Sequence, residues 1–193
     1  MNDKLLAIIR FYFAQCVFMN SIHYKPYSRL TEVQNRYRNI TIGISGTTLI
    51  VIILQTIGFK ENLTQLLSIL SFCGMILTAT SLIFTMYSKE DIGEIKSQHR
   101  NIAEEYKILR DSYMMLIEEA MSNAYDEKTL REKGQEFQKL YSAIGKYAPA
   151  TTYNDYQNAQ KGLGLSGKKD EEFTWSDKEI DCFLPPLLRI EEK

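Results

Sequence analysis

The sequence has few residues that interrupt helices and few that bind metals. All four prolines lie outside residues 27–148, so no proline has to break a helix in that long interior. The three cysteines are far apart, with no metal spacing and no disulfide framework, which suits a reducing compartment. The two histidines have no Cys, Asp or Glu at ligand spacing. We therefore expect no metal, no cofactor and no catalytic site, and we expect that the chain is not an enzyme.

The chain also lacks an excess of charge of either sign. Its net charge is -1, which gives no basis for direct binding of nucleic acid. Two long stretches, residues 39–59 and 62–88, contain no Asp, Glu, Lys or Arg, and only Lys60 and Glu61 separate them. Each stretch is long enough to cross a bilayer core, which takes about 20 mostly apolar residues. So short a link predicts a tight transmembrane hairpin whose two ends lie on the same side of the membrane.

Positively charged residues flank this hairpin at its open end, and the link itself carries one Lys and one Glu. Because positive residues mark the cytoplasmic side, both termini are expected in the cytoplasm. These side chains can serve as anchors at the lipid headgroups or as a specific lipid or nucleotide site, and the first interpretation is favoured. The flanking cations are Lys25, Arg29, Arg36, Arg38, Lys89, Lys96 and Arg100.

The first residues read as a short, nearly all-round apolar helix over residues 4–20, interrupted by Arg10. Three placements compete: a helix lying in the membrane interface, a helix packed against the rest of the protein, and a third span with a snorkelling Arg10. His23 follows in a predicted loop before Pro26. We treat residues 1–26 as one segment, an interfacial or packing helix.

A single helix face runs through the second apolar stretch and beyond it, with positions three and four residues apart. Within the stretch the face is small or hydroxyl-bearing, as helix contacts in lipid require. Beyond the stretch the same face becomes apolar, as contacts in water require. One helix over about residues 63–121, on the order of 85 Å long, is therefore predicted. The small face comprises Ser71, Gly74, Thr78, Ser81 and Thr85, and the apolar seam comprises Ile92, Ile95, His99, Ile102, Tyr106, Leu109 and Tyr113.

Two alternatives exist for the helix that packs on this face. It can pack on the chain's own first span and following helix, or on neighbouring copies around an axis, where the hydroxyls would line a path for water. The first span adds some polar character of its own, through Thr41, Ser45, Thr48 and Gln55. The absence of Asp, Glu, Lys and Arg within both spans disfavours a proton-coupled transporter. For His99 a buried, hydrogen-bonded role is favoured over a metal ligand or a pH switch.

The remainder of the chain predicts a helical hairpin and a docking tail. Asp126 is a candidate N-cap for a helix over residues 127–147, which would pack back on residues 102–116. A short helix is expected over residues 151–161, and the glycine-rich residues 162–168 read as a linker rather than a phosphate loop. Ser176 followed by Glu179 predicts a capped short helix over residues 177–183. The predicted apolar face of the 127–147 helix comprises Leu130, Phe137, Leu140, Tyr141 and Ile144.

The expected fold is thus all-α and integral to the membrane. It consists of a transmembrane hairpin over residues 27–90, whose second span continues into a long cytosolic helix, a cytosolic helical hairpin over residues 91–148, and a docking tail over residues 149–193. The tail is rich in apolar side chains, including Phe173, Trp175 and Leu184. Such a tail is too apolar to remain free in water, so it should dock on the helical hairpin or on a partner.

This arrangement resembles the SLATT family of two-span membrane effectors. The resemblance lies in the helical segment before the two spans, the minimal link, the His99-to-Tyr106 spacing within residues 99–109 (HRNIAEEYKIL), and the tail residues 147–151 (YAPAT) and 173–189 (FTWSDKEIDCFLPPLLR). The tail looks like that of the branch encoded beside reverse transcriptases. The resemblance implies an effector that oligomerises in the inner membrane, opens a pore on an infection signal and stops growth of the phage-infected cell. It transfers no catalytic residues.

Two functions of different classes follow. The first is a homo-oligomeric, membrane-disrupting effector that dissipates the membrane potential through the small face of the second span. The second is a membrane scaffold that holds a soluble enzyme such as a reverse transcriptase. A resting complex, in which a partner restrains the pore until infection, combines the two. The expected partners are the lipid bilayer, further copies of the chain, and a reverse transcriptase or a source of a nucleotide signal.

Overall fold

A computed structural model of the chain describes residues 3–60, 64–89, 91–165 and 175–190. Helix makes up 88% of these residues and no strand occurs among them, which confirms the all-α prediction. A single 3-10 turn, Pro186–Leu188, follows the last helix. The helices are α1 (Asp3–Lys60), α2 (Thr64–Lys89), α3 (Asp91–Met121), α4 (Glu127–Tyr147), α5 (Tyr153–Gly162) and α6 (Asp177–Asp181).

The first helix is longer than the sequence predicted. α1 runs without interruption for 58 residues, so residues 4–20 are not a separate helix, and the segment boundary predicted at residue 26 lies inside a helix. Pro26 lacks an N–H and therefore removes one intrahelical hydrogen bond. Pro26 is fully buried and its neighbours Ile22 and His23 are also buried, so the packing of this turn offsets the lost bond.

The chain divides into two compact units, Met1–Tyr27 with Ser97–Lys193, and Ser28–Lys96. In the first unit, the start of α1 lies in a core shared with α3, α4 and the tail. Residues 4–20 therefore pack against the rest of the protein. The buried core includes Leu5, Ile9, Phe13, Cys16, Tyr106, Leu109, Tyr113, Leu116, Leu130, Ile180 and Leu184.

Two of the helix N-caps in the first unit are the ones that the sequence predicts. Asp126 accepts a hydrogen bond from the Thr129 amide at the start of α4, and Ser176 forms a capping box with Glu179 at the start of α6. Thr152 caps α5 in the same way. These polar side chains satisfy amides that the first helical turn leaves without partners. One predicted core position of α4 is wrong: the Leu140 side chain is 48% exposed, because it lies off the face that carries Leu130.

The second unit has the surface of a membrane hairpin. It contains two helical segments long and apolar enough to cross a bilayer, the later part of α1 up to Ile57 and the Thr64–Met86 part of α2. Most apolar side chains of these segments face outward, and Val51 is the one buried apolar side chain among the unit's described residues. Such a surface is unfavourable in water and matches a hydrocarbon environment.

Several predictions concern residues outside the described ranges. The link between the spans includes Glu61, and the predicted unbroken helix over residues 63–121 includes Leu63 and Glu90, all three outside those ranges. α2 ends at Lys89 and α3 begins at Asp91, so continuity of the two stays a prediction. The linker over residues 162–168 is described only as far as residue 165, and Phe173 of the tail also falls outside.

Candidate functional site

The five residues of the predicted small face line the cleft between α1 and α2. The cleft holds two successive grooves, of about 530 and 440 Å³. Ser71, Gly74 and Thr78 line the first groove, and Thr78, Ser81 and Thr85 line the second. The opposite wall carries three polar residues of α1, namely Ser45, Thr48 and Gln55. The structure thus brings together all five predicted residues of α2.

At Gly74 the second span lies close to side chains of the first. A Cβ atom added there would lie 3.6 Å from Cγ1 of Val51 and 4.0 Å from Nε2 of Gln55. One turn away, the Gln55 amide donates a hydrogen bond of 3.1 Å to the Ser71 hydroxyl. A small residue and a hydrogen bond are the two features that hold helices together in lipid, where there is no hydrophobic drive between them. Here both features join α2 to the chain's own first span.

The threonine hydroxyls of the cleft donate to the backbone of their own helices. Thr78 donates to the Gly74 carbonyl at 2.8 Å, Thr85 donates to the Ser81 carbonyl at 2.8 Å, and Thr48 donates to the Ile44 carbonyl at 2.9 Å. With the proton used in this way, each oxygen keeps lone pairs that can accept a hydrogen bond or approach a cation. No Asp, Glu, Lys, Arg or His accompanies them in either span. The cleft can therefore bind water, cations or hydroxyls of another helix, but it offers no general acid or base.

The predicted apolar seam divides between the two units. His99, Ile102, Tyr106, Leu109 and Tyr113 are all buried in the first unit, where the chain's own α1 and α4 cover them. Ile92 and Ile95 belong to the second unit, and Ile95 is 42% exposed. The buried part of the seam thus packs within one chain, as in the hairpin interpretation.

His23 and His99 form a buried pair. Their Nδ1 atoms lie 3.1 Å apart, and the His23 ring stacks on Tyr106 with a centroid distance of 6.1 Å. The favoured interpretation of His99 as a buried, hydrogen-bonded residue agrees with this geometry, whereas the predicted loop position of His23 is wrong, because His23 lies inside α1. Burial, together with the neighbouring His99, lowers the pKa of His23 to about 4. Among the described residues, no three His, Cys, Asp or Glu side chains come together as a metal site.

Arg10 has a role that the sequence analysis did not anticipate. Its guanidinium is fully buried and contacts Asp181 at 2.6 Å and Asp177 at 3.3 Å. It also donates a 3.3 Å hydrogen bond to the Leu188 carbonyl. These ion pairs and this hydrogen bond hold the tail against the first helix. The sequence did contain a signal for this contact. Arg10 is a lone arginine in an apolar helix, and Asp177 and Asp181 lie four residues apart in a capped short helix, so they share one helix face.

The second unit has two apolar helical segments of membrane length, paired through small and hydroxyl-bearing residues, and the first unit is a helical bundle with a buried core. These features define a two-span integral membrane protein. Comparison with known families gives the more specific assignment. The pattern of SMODS and SLOG-associating 2TM effector domain family 4 matches residues 5–179, and the chain belongs to this family. It is therefore a membrane effector, and the family implies a role in anti-phage defence. No curated protein and no solved structure matches the chain significantly.

Proposed function

We propose that the protein is a homo-oligomeric effector of the bacterial inner membrane that opens a path for ions and stops growth of the infected cell. The observation that carries the proposal is the cleft, in which hydroxyl-bearing residues from both spans line two grooves that share Thr48 and Thr78 and contain no charged side chain. Oxygen-lined surfaces can replace the hydration of a small cation, as filters do with carbonyl oxygens. No catalytic step enters this function.

Oligomerisation follows from the number of helices. Two helices have a cleft between them but cannot surround a pore, so other copies must supply the remaining wall. Charge distribution supports the orientation, with Lys25, Arg29, Arg36 and Arg38 before the first span and Lys96 and Arg100 after the second. By the positive-inside rule these residues, and with them both termini, belong in the cytoplasm.

The experiment is induced expression in bacteria, with membrane potential followed by a voltage-sensitive dye and growth followed in parallel. The key variant is Gly74→Leu, whose side chain would collide with Val51 and fill the cleft. Overpacked contacts of this kind cost about 1–3 kcal/mol. Two matched controls are Gly74→Ala, whose Cβ makes only an ordinary contact, and Gly46→Leu, where nothing lies within 4 Å of an added Cβ.

The proposal expects depolarisation and growth arrest from the wild type and from Gly74→Ala, and a strong reduction from Gly74→Leu at equal membrane abundance. Gly46→Leu reports separately on neighbouring copies, because nothing in the chain lies within 4 Å of a Cβ added at this position. Loss of activity in that variant would indicate an interface between copies at α1. Full depolarisation by Gly74→Leu would mean that the cleft is not part of the ion path.

The alternative function is a scaffold for a soluble partner such as a reverse transcriptase. The observation that favours it is an exposed apolar pair on α3, Ile108 and Met115, which are 66% and 59% exposed. Seven residues apart, they lie on the same helix face. A scaffold predicts that expression leaves the membrane potential unchanged and that Ile108→Glu with Met115→Glu prevents recovery of the partner. A pore effector predicts depolarisation without any partner gene.

A further inference from the structure

The outward face of α3 combines apolar and acidic side chains. Ile108 and Met115 are 66% and 59% exposed, and their spacing of seven residues places them on one side of the helix. Three acidic residues alternate with this pair at spacings of four and three residues, so they share the same face. We call these five residues the acidic stripe: Glu104, Ile108, Asp111, Met115 and Glu118.

Neighbouring cations balance the charge of the acidic stripe only in part. Residues 104–118 contain four carboxylates and two cations. Lys107 lies 3.3 Å from Glu104, and Arg110 lies 2.7 Å from Asp111. Glu118 is exposed and forms no ion pair with any residue that the structure describes. The exposed apolar pair on α3 is therefore bordered by an excess of negative charge.

α4 carries an exposed apolar stripe of the opposite charge. Leu140 is 48% exposed and Tyr147 is 77% exposed, and the exposed Ala143 lies between them at spacings of three and four residues. Lys139 and Lys146 are exposed and border these three residues. Residues 137–147 contain no Asp or Glu. We call these five residues the basic stripe: Lys139, Leu140, Ala143, Lys146 and Tyr147.

The two stripes are complementary to each other but not to themselves. Two copies that met through α3 would bring acidic side chains together, and two copies that met through α4 would bring lysines together, which is unfavourable in both cases. α3 of one copy against α4 of another brings opposite charges together beside a shared apolar seam. Within one chain α3 and α4 pack through other faces, where Tyr113 contacts Phe137 at a centroid distance of 5.3 Å. The exposed stripes are thus available to a second copy.

We propose that the acidic stripe of one copy binds the basic stripe of the next copy. This contact joins two different surfaces, so it is heterologous, and its repetition forms a ring when the rotation between copies closes. It assigns the exposed pair on α3 to a second copy rather than to a soluble enzyme. The inference rests on the homo-oligomer of the proposed function, but it does not depend on an ion path through the cleft.

The test is thiol cross-linking of full-length chains in isolated bacterial membranes. In a background with Cys73→Ser and Cys182→Ser, one copy carries Ser112→Cys beside the acidic stripe, and a differently tagged copy carries Ala143→Cys within the basic stripe. Cys16 is buried and is kept. Each copy then has one accessible thiol, so a short bis-maleimide can only link one chain to another.

Co-expressed copies should give a linked dimer that carries both tags, whereas either copy expressed alone should give little linked product. The two single-cysteine copies therefore distinguish a heterologous contact from a symmetric one. If copies with Ser112→Cys link to each other as efficiently as they link to copies with Ala143→Cys, the proposed pairing of stripes is wrong. Recovery of a soluble protein on α3 in place of a linked copy would also overturn it.

Charge reversal tests the complementarity of the stripes. Lys139→Glu with Lys146→Glu in the Ala143→Cys copy should lower the linked fraction about tenfold, because each change replaces an attraction by a repulsion of similar size. Glu104→Lys with Glu118→Lys in the other copy should then restore linking. Failure of this second reversal to restore any linking would contradict direct pairing of the two stripes.

The matched control is Lys128→Glu with Arg131→Glu in the Ala143→Cys copy. It changes the net charge by the same amount, but it lies in the first half of α4 and outside the basic stripe. Linking should therefore stay at the level of the unreversed pair. If the reversed chains do not fold, linking of the unreversed pair at rising salt concentration decides the question. The linked fraction should fall as salt screens exposed charges, and a constant fraction would overturn the proposal.

Membrane depolarisation measured in the same cells separates this inference from the proposed ion path. Linking through the two stripes without depolarisation would support the interface and contradict the ion path. Depolarisation by copies that never link through the stripes would overturn the interface and leave the ion path in place.

Discussion

Removal of the Asp181 charge should release the tail from the first helix. The carboxylate lies 2.6 Å from the buried Arg10 guanidinium and is itself only 8% exposed. Removing one partner of a buried ion pair typically costs 3–5 kcal/mol, because the other charge stays buried without compensation. Asp177 still reaches Arg10 at 3.3 Å and partly compensates, so for Asp181→Asn we expect a loss at the lower end, about 3 kcal/mol.

The chain provides its own reporter for this change. Trp175 is the single tryptophan, and it contacts Phe11 and Phe18 of α1 at centroid distances of 6.2 and 6.1 Å. Its fluorescence should shift to longer wavelength as the tail leaves α1 and the indole enters water. A urea titration of the full chain in detergent, followed by this emission, gives the free energy difference by linear extrapolation.

Two further variants test the physical reason for the effect. Asp177→Asn is the matched control, because the Asp177 side chain is 53% exposed and its loss should cost less than about 1 kcal/mol. Arg10→Met with Asp181→Leu removes both charges and should recover most of the stability, as apolar replacements of buried pairs do. Equal losses for Asp181→Asn and Asp177→Asn would refute the claim that the buried pair holds the tail.

Three other predictions concern single side chains. Tyr113→Phe should leave stability unchanged or raise it by up to about 1 kcal/mol in thermal unfolding, because the buried Tyr113 hydroxyl has no hydrogen-bond partner among the residues that the structure describes. A loss above about 1 kcal/mol would mean that the hydroxyl is satisfied. Gln55→Leu should weaken the association of α1 with α2 by about 0.6 kcal/mol in a detergent unfolding assay, because it removes the hydrogen bond to Ser71. The double variant Gln55→Leu with Ser71→Ala should be no less stable than Ser71→Ala alone, because both changes remove the same hydrogen bond. At pH 8 a water-soluble alkylating reagent should label the exposed Cys182 and spare Cys16, whose thiol pKa burial raises to about 12; mass spectrometry of a labelled Cys16 would contradict its burial.

Local chemical signals in the sequence were sufficient for much of the fold. The N-cap Asp126 and the capping box of Ser176 with Glu179 were identified from residue type and spacing, since a cap satisfies amides only a few residues away. The pairing of the small face with polar residues of the first span was one of two open alternatives, because spacing defines a face but not the helix that covers it. The structure shows Gly74 against Val51 of the same chain.

The features that sequence reasoning missed depend on distant partners. Arg10 and Asp181 are 171 residues apart, so the lone arginine and the two aspartates are each visible in the sequence, but nothing local shows that they meet. Pro26 lies inside α1 because burial of the surrounding turn outweighs its intrinsic preference, which is a tertiary effect. The pairing of His23 with His99 follows from that same turn, since a helix through Pro26 places His23 on the face that meets α3.

Ion flux through liposomes that contain only the purified full-length chain tests the central claim most directly. Vesicles loaded with potassium and a voltage-sensitive dye are compared for the wild type and for a variant with Thr48→Val, Thr78→Val and Thr85→Val, which keeps the shape of the cleft but removes three hydroxyl oxygens. The account predicts that the wild type dissipates a potassium gradient at high protein density and that the triple variant, inserted equally well, does so far more slowly. Equal flux from both proteins would contradict the claim that the cleft between α1 and α2 forms the wall of the path.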